Sequence, residues 1–275
     1  MRPCLHRSLA LLVLALGARI ANATPPDSAP LPAAHAHNDY LHARPLLDAL
    51  DHGFTSVEAD VFPVDGKLLV SHERSSLKPE RTLEALYLAP LAARVKQNSG
   101  RVYQNGGRFF LLIDIKSDSD EAYRLLKELI VNKYGTMFSR VEGGQFQPGA
   151  VTVVLSGERP QISPGDSSIR YAGLDGRLSD LGSRIPSHTM PMISDKWTNH
   201  FRWSGDGSMP PNERSKLRRI VEQAHAAGRV VRFWATPESE AVWQELRSAG
   251  VDLINTDDLA GLAAFLKKPT KVSRP

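Results

Sequence analysis

Cysteine, aromatic side chains and an excess of either charge are all scarce in this sequence. The chain has 275 residues, of which one is cysteine and 7% are aromatic. A single cysteine cannot form an intrachain disulfide, so a hydrophobic core of sufficient size has to hold the fold. The 41% apolar content and the formal net charge of only +4 exclude an intrinsically disordered chain. These features are typical of an ordinary globular protein.

The first 23 residues have the pattern of a secretory signal peptide. Arg2 and Arg7 give a basic start, residues 9–17 form an apolar run, and residues 21–23 form a small-x-small cleavage site. The run is shorter than the roughly 20 residues that span a bilayer, which argues against a membrane anchor. Removing 23 residues with three arginines and no acid leaves 252 residues with a formal charge of +1. We therefore expect an exported protein, periplasmic or extracellular, that has no stable membrane span and binds no nucleic acid.

Strand patterns alternate with helix patterns along the rest of the chain. Helices are predicted over residues 44–52, 82–97, 118–134, 213–227 and 238–249. Eight strands are predicted over residues 33–37, 56–62 (with a hairpin return over 67–72), 109–115, 151–155, 169–174, 191–194, 230–235 and 253–256. Such alternation implies parallel strands with right-handed crossovers. It predicts an α/β fold, a single-domain (β/α)8 TIM barrel over residues 33–266, between an extension over 24–32 and a tail over 267–275. The alternative is an open doubly wound sheet, which the lack of a glycine-rich phosphate loop disfavours.

Acidic side chains lie in or at the ends of two predicted strands. Glu58 and Asp60 are two residues apart, so they face the same side of their strand. A TIM barrel interior is normally filled with Val, Ile and Leu, and two inward carboxylates would repel each other unless a cation neutralised them. Asp114 can complete an oxygen site suited to Mg²⁺ or Ca²⁺, with Lys116 bringing positive charge beside it. The alternative for the pair is an exposed strand face with Lys or Arg partners.

Histidines accompany these acids at strand ends. His35 and His37 end the first strand, and His72 ends the hairpin return. Because imidazole titrates near neutrality, two histidines on opposite sides of a phosphate can act as base and acid. We predict this role for His72 and for either His35 or His37, a choice that the sequence leaves open.

These motifs together resemble the phosphatidylinositol-phospholipase-C-like phosphodiesterase superfamily, which includes the glycerophosphodiester phosphodiesterases. The similar segments read AHAHNDY, GFTSVEADV, DGKLLVSHE, LLIDIK and GVDLINTDD. HNDY, PLLDAL and TSVEADV also resemble a branch related to the altered inheritance of mitochondria proteins. The family's Arg-Gly after the first histidine and its Pro-Glu-Asn-Thr motif are absent.

The resemblance implies a TIM barrel that cleaves a phosphoric diester with a divalent cation. By position, Glu58, Asp60 and Asp114 match metal ligands, His72 matches the second catalytic histidine, and Lys116 matches a lysine near the phosphate. The substrate class it implies is a small or lipid-derived phosphodiester, such as a glycerophosphodiester, and we expect a monomer. The alternatives are a non-catalytic barrel that binds a phosphorylated or sugar ligand, and a carbohydrate hydrolase that uses Glu58 and Asp114 as its acids.

Polar and aromatic residues near other strand ends are predicted to contact the substrate. These are Asn38, Asp195, Trp197 and Trp234. Aromatic rings at a barrel mouth can hold a glycerol, inositol or sugar group, and packing under loops is the alternative. Asp257, after the last strand, is interpreted as a possible helix cap.

Overall fold

The computed structural model describes residues 28–161 and 169–269. The predicted signal peptide and residues 270–275 of the predicted tail lie outside the described residues. Eight parallel strands close into a barrel, in which the first strand pairs with both the second and the last. The predicted (β/α)8 TIM barrel is therefore confirmed, and the open doubly wound sheet is excluded. The strands in barrel order are β1 (Leu31–Ala36), β2 (Phe54–Val64), β4 (Phe109–Ile115), β7 (Val151–Gly157), β8 (Ala172–Gly176), β9 (Met192–Lys196), β10 (Val230–Trp234) and β11 (Leu253–Thr256).

A ninth strand, β3 (Lys67–Val70), pairs antiparallel with the outer end of β2. The hairpin turn uses Asp65 and Gly66, which both have positive φ, as a tight hairpin turn between twisted strands requires. This hairpin matters for the site because it places His72, just beyond β3, next to the end of β2.

Seven α-helices are described, most of them on the outside of the barrel. They are α1 (Leu47–His52), α2 (Ala89–Gln97), α3 (Ser119–Leu129), α4 (Trp197–His200), α5 (Pro211–Ala226), α6 (Glu240–Ala249) and α7 (Leu259–Lys267). The predicted helices 82–97 and 118–134 each combine an α-helix with a π-helical segment, Glu84–Leu88 and Ile130–Tyr134. Three elements were not predicted: α4, α7 and a small hairpin of β5 (Arg140–Glu142) and β6 (Gln145–Gln147).

The core lies between the barrel strands and the helices, and β4 shows why the chain folds this way. Its sequence FFLLIDI is apolar up to its end, and only Asp114 is partly exposed. A strand covered on both faces needs such a run. Toward the carboxyl ends of the strands, polar residues take the place of apolar ones. On β2, for example, Glu58 and Asp60 are buried. Among the described residues, no helix combines the length and apolar composition needed to cross a bilayer.

Candidate active site

A cavity of about 300 Å³ opens at the carboxyl ends of the barrel strands. Functional residues of TIM barrels lie at this end of the strands. Seven of the predicted site residues line the cavity, namely His37, Asn38, Glu58, His72, Asp114, Lys116 and Trp234. Ser156, Gly157, Arg177 and Arg232 complete its lining.

Three carboxylates cluster at this cavity: Glu58 and Asp114 line it, and Asp60 is buried beside them. One oxygen each from Glu58, Asp60 and Asp114 lies within 4.8 Å of the other two. The parallel register of β2 and β4 places Asp60 directly beside Asp114, and strand alternation puts Glu58 on the same face. The geometry therefore agrees with the interpretation of Glu58 and Asp60 as an inward-facing acidic pair. It disagrees with the alternative of an exposed strand face.

Asp60 has one oxygen fully engaged and one without a partner. Its Oδ2 accepts from the Tyr40 hydroxyl at 2.6 Å and lies 2.9 Å from Lys116 Nζ. Its Oδ1 is buried and has no hydrogen-bond partner anywhere in the described ranges. A buried carboxylate oxygen that no protein donor satisfies is costly, and a divalent cation supplies the missing positive partner. This oxygen fits a metal ligand.

Glu58 is held from behind by two buried side chains. Its Oε2 accepts from Arg232 Nη2 at 2.5 Å and lies 3.4 Å from His35 Nε2. Burial raises the pKa of Glu58, but the charge of Arg232 and the contact with His35 outweigh it and hold the pKa well below its usual range. Glu58 therefore stays ionised, and its other oxygen remains available to the cavity.

Asp114 depends on a neighbouring glycine. A Cβ at Gly157 would lie 2.1 Å from Asp114 Oδ1, so only glycine leaves room for the carboxylate at this place. Burial raises the pKa of Asp114 to about 6, although Lys116, 3.5 Å away, opposes the rise. Burial and the charge of Glu58 also raise the pKa of Asp60, so both aspartates hold their charge less readily than Glu58 as the pH falls.

His37 and Asp257 form a hydrogen-bonded pair at the mouth. His37 Nδ1 lies 2.9 Å from Asp257 Oδ1 and 3.0 Å from the Asn38 side-chain amide. Burial lowers the pKa of His37, but the hydrogen bond to Asp257 and the charge of Glu58 outweigh it and leave the pKa raised. The carboxylate favours the tautomer with the proton on Nδ1, which leaves Nε2 as a proton acceptor. Asp258, not Asp257, caps α7, so the helix-cap interpretation of Asp257 was wrong.

His72 is oriented by the carboxylate of Asp60. Its Nδ1 lies 3.1 Å from Asp60 Oδ2 and 3.0 Å from the Tyr40 hydroxyl, and its ring is 56% exposed. Both cavity histidines are therefore held through Nδ1 and present Nε2. Two histidines with this arrangement can exchange protons with a ligand between them.

His35, by contrast, is completely buried. Its Nδ1 contacts the Ser56 hydroxyl at 2.7 Å, and burial together with the charge of Arg232 lowers its pKa to about 3. It stays neutral, supports Glu58 and does not reach the cavity. Of the two first-strand histidines, the structure brings His37 to the cavity.

Two of the predicted substrate contacts lie elsewhere. Trp197 is buried, donates from Nε1 to the Trp203 carbonyl at 3.0 Å and stacks on Phe201 with ring centroids 4.1 Å apart. Its prediction as a substrate contact was wrong, because the short helix α4 turns the ring into the core. Asp195 accepts from its neighbouring backbone and lies 3.1 Å from His200, outside the cavity lining. Asn38 and Trp234 do line the cavity.

Four functional candidates were not predicted as site residues. Tyr40 links Asn38, Asp60 and His72 through one hydroxyl. The others are Arg232, Asp257 and Arg177. Tyr40 stood in the quoted motif HNDY and Asp257 in GVDLINTDD, so both could have been found from those motifs.

A second cavity of about 250 Å³ lies at the opposite, amino-terminal end of the barrel. Its lining includes Arg108, Arg140 and Arg170 but none of the predicted site residues. It is therefore separate from the acidic cluster.

Known proteins match this chain over most of its length. The sequence profile described as "AIM6-like phosphodiesterase domain" matches residues 26–163. The chain belongs to the AIM6-like phosphodiesterase family. The "Glycerophosphoryl diester phosphodiesterase family" profile also matches residues 230–260. This places the AIM6-like barrel in the superfamily that the motifs resembled.

Two curated relatives of the AIM6-like chain are fungal. "Altered inheritance of mitochondria protein 6" of Eremothecium gossypii is 32% identical, with 90% of this chain and 75% of that protein covered. The homologue of Arthroderma benhamiae is 29% identical, with 84% and 82% covered. A solved glycerophosphodiester phosphodiesterase from Parabacteroides distasonis has a TM-score of 0.52 at 13% identity, covering 87% of this chain and 98% of that one. This likeness shows the same fold.

Proposed function

We propose that the chain is a divalent-cation-dependent phosphodiesterase. The observation that carries the proposal is a cluster of three carboxylates at one cavity that two histidines also line, each histidine hydrogen-bonded to a carboxylate. The proposed substrate is a small or lipid-derived phosphodiester, such as a glycerophosphodiester.

The formal charges of the carboxylate cluster and its direct cationic partners support the cation; Arg177, which also lines the cavity, is paired with Asp175. Glu58, Asp60 and Asp114 contribute three negative charges, whereas Lys116 and Arg232 contribute two positive ones. The cluster is therefore left with one negative charge, which would repel a phosphodiester anion. Glu58, Asp60 and Asp114 would hold a divalent cation, which reverses that charge. When bound, the cation supplies Lewis-acid stabilisation of the phosphoryl oxygens.

The two histidines would carry the proton transfers. His37 Nε2 would take the proton of the attacking hydroxyl, from a neighbouring alcohol of the substrate or from water, as its oxygen bonds to phosphorus. His72 Nε2 would give a proton to the leaving oxygen as its bond to phosphorus breaks. Lys116, held between Asp60 and Asp114, would stabilise charge on a phosphoryl oxygen. Attack by a substrate alcohol would give a cyclic phosphate, which water would then open.

A carbohydrate hydrolase suits the geometry less well. Such an enzyme needs two acids that flank the scissile glycosidic bond, with no third carboxylate or lysine required among them. Here three acids cluster within 4.8 Å, and Lys116 contacts two of them. Such a cluster fits an ion better than a sugar ring.

Hydrolysis of bis(p-nitrophenyl) phosphate tests the proposal. The purified chain should hydrolyse it with Mg²⁺ or Ca²⁺ and stop after EDTA treatment, and the Asp60→Asn variant should lose at least about 100-fold in kcat/KM. Asp120→Asn is the matched control, because Asp120 is an exposed acid in the first turn of α3. Equal activity with EDTA and with metal would refute the cation role, and no hydrolysis under any of these conditions would favour a non-catalytic binding barrel.

Export of the mature chain is also proposed, from the signal pattern of residues 1–23. Expression of the full chain with a C-terminal tag should give a product cleaved after Ala23 in the exported fraction. A product that retains its first residues inside the cell would contradict it.

A further inference from the structure

Arg177 lies across the cavity from the proposed base. It follows β8 directly, and β8 is four strands away from β1 in either direction around the barrel. Arg177 and Ser156 therefore form the wall that faces His37. Neither residue has a role in the proposed reaction.

A buried carboxylate fixes the position of the Arg177 guanidinium. Nη1 lies 2.7 Å from Asp175 Oδ2. Asp175 is fully buried, and the same oxygen also accepts from the hydroxyls of Ser156 at 2.8 Å and Ser194 at 2.5 Å. A guanidinium held in this way is preorganised, because little side-chain freedom is left to lose on binding a ligand.

One edge of the guanidinium is left open. Across residues 28–161 and 169–269, Nε of Arg177 has no hydrogen-bond partner, and Nη2 has only a long contact of 3.4 Å to Ser156. Nε and Nη2 are the parallel donor pair that binds an oxyanion in bidentate fashion. A purely structural arginine looks different: Arg229 is buried and donates to the carbonyls of Asp180, Ser183 and Ile185.

The guanidinium is anchored away from the cation cluster. Two strand steps separate Asp114 on β4 from Asp175 on β8, and neighbouring strands lie about 4.8 Å apart, so the two backbones are about 10 Å apart. The Nη2 atom extends toward Ser156, which is the register neighbour of Asp114 on β7. The bond to Asp175 also holds the guanidinium over β8. A phosphate between His37, His72 and Lys116 therefore leaves Arg177 free for another part of the same ligand.

We propose that Arg177 selects substrates whose alcohol group carries a second oxyanion, a phosphate or a carboxylate, which Nε and Nη2 bind. This inference rests on the proposed phosphodiesterase function and names the substrate class of that site. The phosphodiester lies at the cation and the histidines, and the added anion lies at the opposite wall.

Two diesters that differ by one phosphate test the selection. Glycerophosphoinositol 4-phosphate and glycerophosphoinositol are compared by kcat/KM in wild type, Arg177→Gln and Arg177→Lys. Wild type should prefer the phosphorylated diester, and Arg177→Gln should reduce the preference ratio about tenfold or more, because a charge-assisted bidentate contact is lost. Arg177→Lys should restore only part of the ratio, since lysine keeps the charge but not the paired donors. A serine-headed glycerophosphodiester provides the carboxylate arm.

Arg159→Gln is the matched control. Arg159 donates to the Asp175 carbonyl at 2.6 Å and carries the same charge, but it does not line the cavity. This variant should keep the wild-type ratio. An equal loss on both diesters in Arg177→Gln, an unchanged ratio, or a wild type without preference would overturn the inference while leaving the phosphodiesterase function intact.

A binding measurement separates this inference from the proposed function. Inositol 1,4-bisphosphate is titrated into the metal-loaded wild type and Arg177→Gln by calorimetry, with no turnover needed. If neither diester is hydrolysed but the variant binds about tenfold more weakly, the function fails and the anion site stands. Equal binding by both proteins overturns the anion site.

Discussion

Replacing Asp257 by asparagine should slow the proposed reaction without disturbing the barrel. The carboxylate lies 2.9 Å from His37 Nδ1 and holds the proton there, so that Nε2 is free to accept one. An asparagine can present its NH2 group to Nδ1 instead, which selects the wrong tautomer. Because Asp258 caps α7, the substitution leaves the helix start intact.

The size of the effect follows from the exposure of the pair. A positioned general base contributes roughly 10²- to 10⁴-fold to a rate. The Asp257 side chain is 59% exposed, so water replaces part of its effect, and we expect kcat/KM to fall about 10- to 100-fold. The hydrogen bond raises the pKa of His37, so its loss lowers that pKa and moves the acid limb of the pH profile to lower pH.

The assay is kcat/KM for bis(p-nitrophenyl) phosphate from about pH 5 to pH 9 with saturating metal. Asp252→Asn is the control, since Asp252 lies 2.8 Å from His225 in an equivalent pair outside the cavity. The control should match wild type. If Asp257→Asn kept more than half of the activity, or its acid limb did not move, Asp257 would not orient the base.

Three further substitutions test other parts of the structure. Gly157→Ala should weaken Mg²⁺ binding, measured by calorimetry, about tenfold or more. The reason is that the new Cβ would clash with Asp114 and that a φ of +67° strains alanine by about 1–2 kcal/mol. Gly182→Ala is the control and should bind Mg²⁺ like wild type, because a Cβ there would have nothing within 4 Å. Burial raises the pKa of Asp39 to about 7, so the folded state keeps a proton that the unfolded chain loses near pH 4. Wild type should therefore lose stability relative to Asp39→Asn as the pH rises from about 4 to about 7, which urea titrations at each pH measure. A difference in unfolding free energy that does not change with pH would contradict the raised pKa. Trp197→Ala should lower the free energy of unfolding by about 3–5 kcal/mol, because the ring is buried in the core. A variant with the stability of wild type but a raised KM would instead show that Trp197 contacts the substrate.

The barrel itself was predictable because each strand carries a local signal. The run FFLLIDI of β4 and the alternation of β2 need no knowledge of distant residues. The α7 helix was missed because LAGLAAFLK is apolar on several faces and lacks the amphipathic period. The β5–β6 hairpin was missed because its second strand, QFQ, is exposed and offers no apolar pattern.

The acidic cluster was predictable for a similar reason, and its partners were not. Glu58 and Asp60 share a face by alternation alone. Arg232 is 174 residues from Glu58, and Asp257 is 220 residues from His37, so only the closed barrel brings these pairs together. Trp197 was wrongly predicted to lie in the site. Its position just after a strand suggested the barrel mouth, but the turn of α4 buries the ring.

Diffraction from crystals soaked in Mn²⁺ tests the central claim most directly, since this ion binds oxygen ligands like Mg²⁺ and is seen by its anomalous signal. The account predicts a single strong peak with oxygens of Glu58, Asp60 and Asp114 at about 2.0–2.4 Å, and no peak there in Asp60→Asn. No ion among the three carboxylates, with Asp60 and Glu58 satisfied by Lys116 and Arg232 alone, would contradict it.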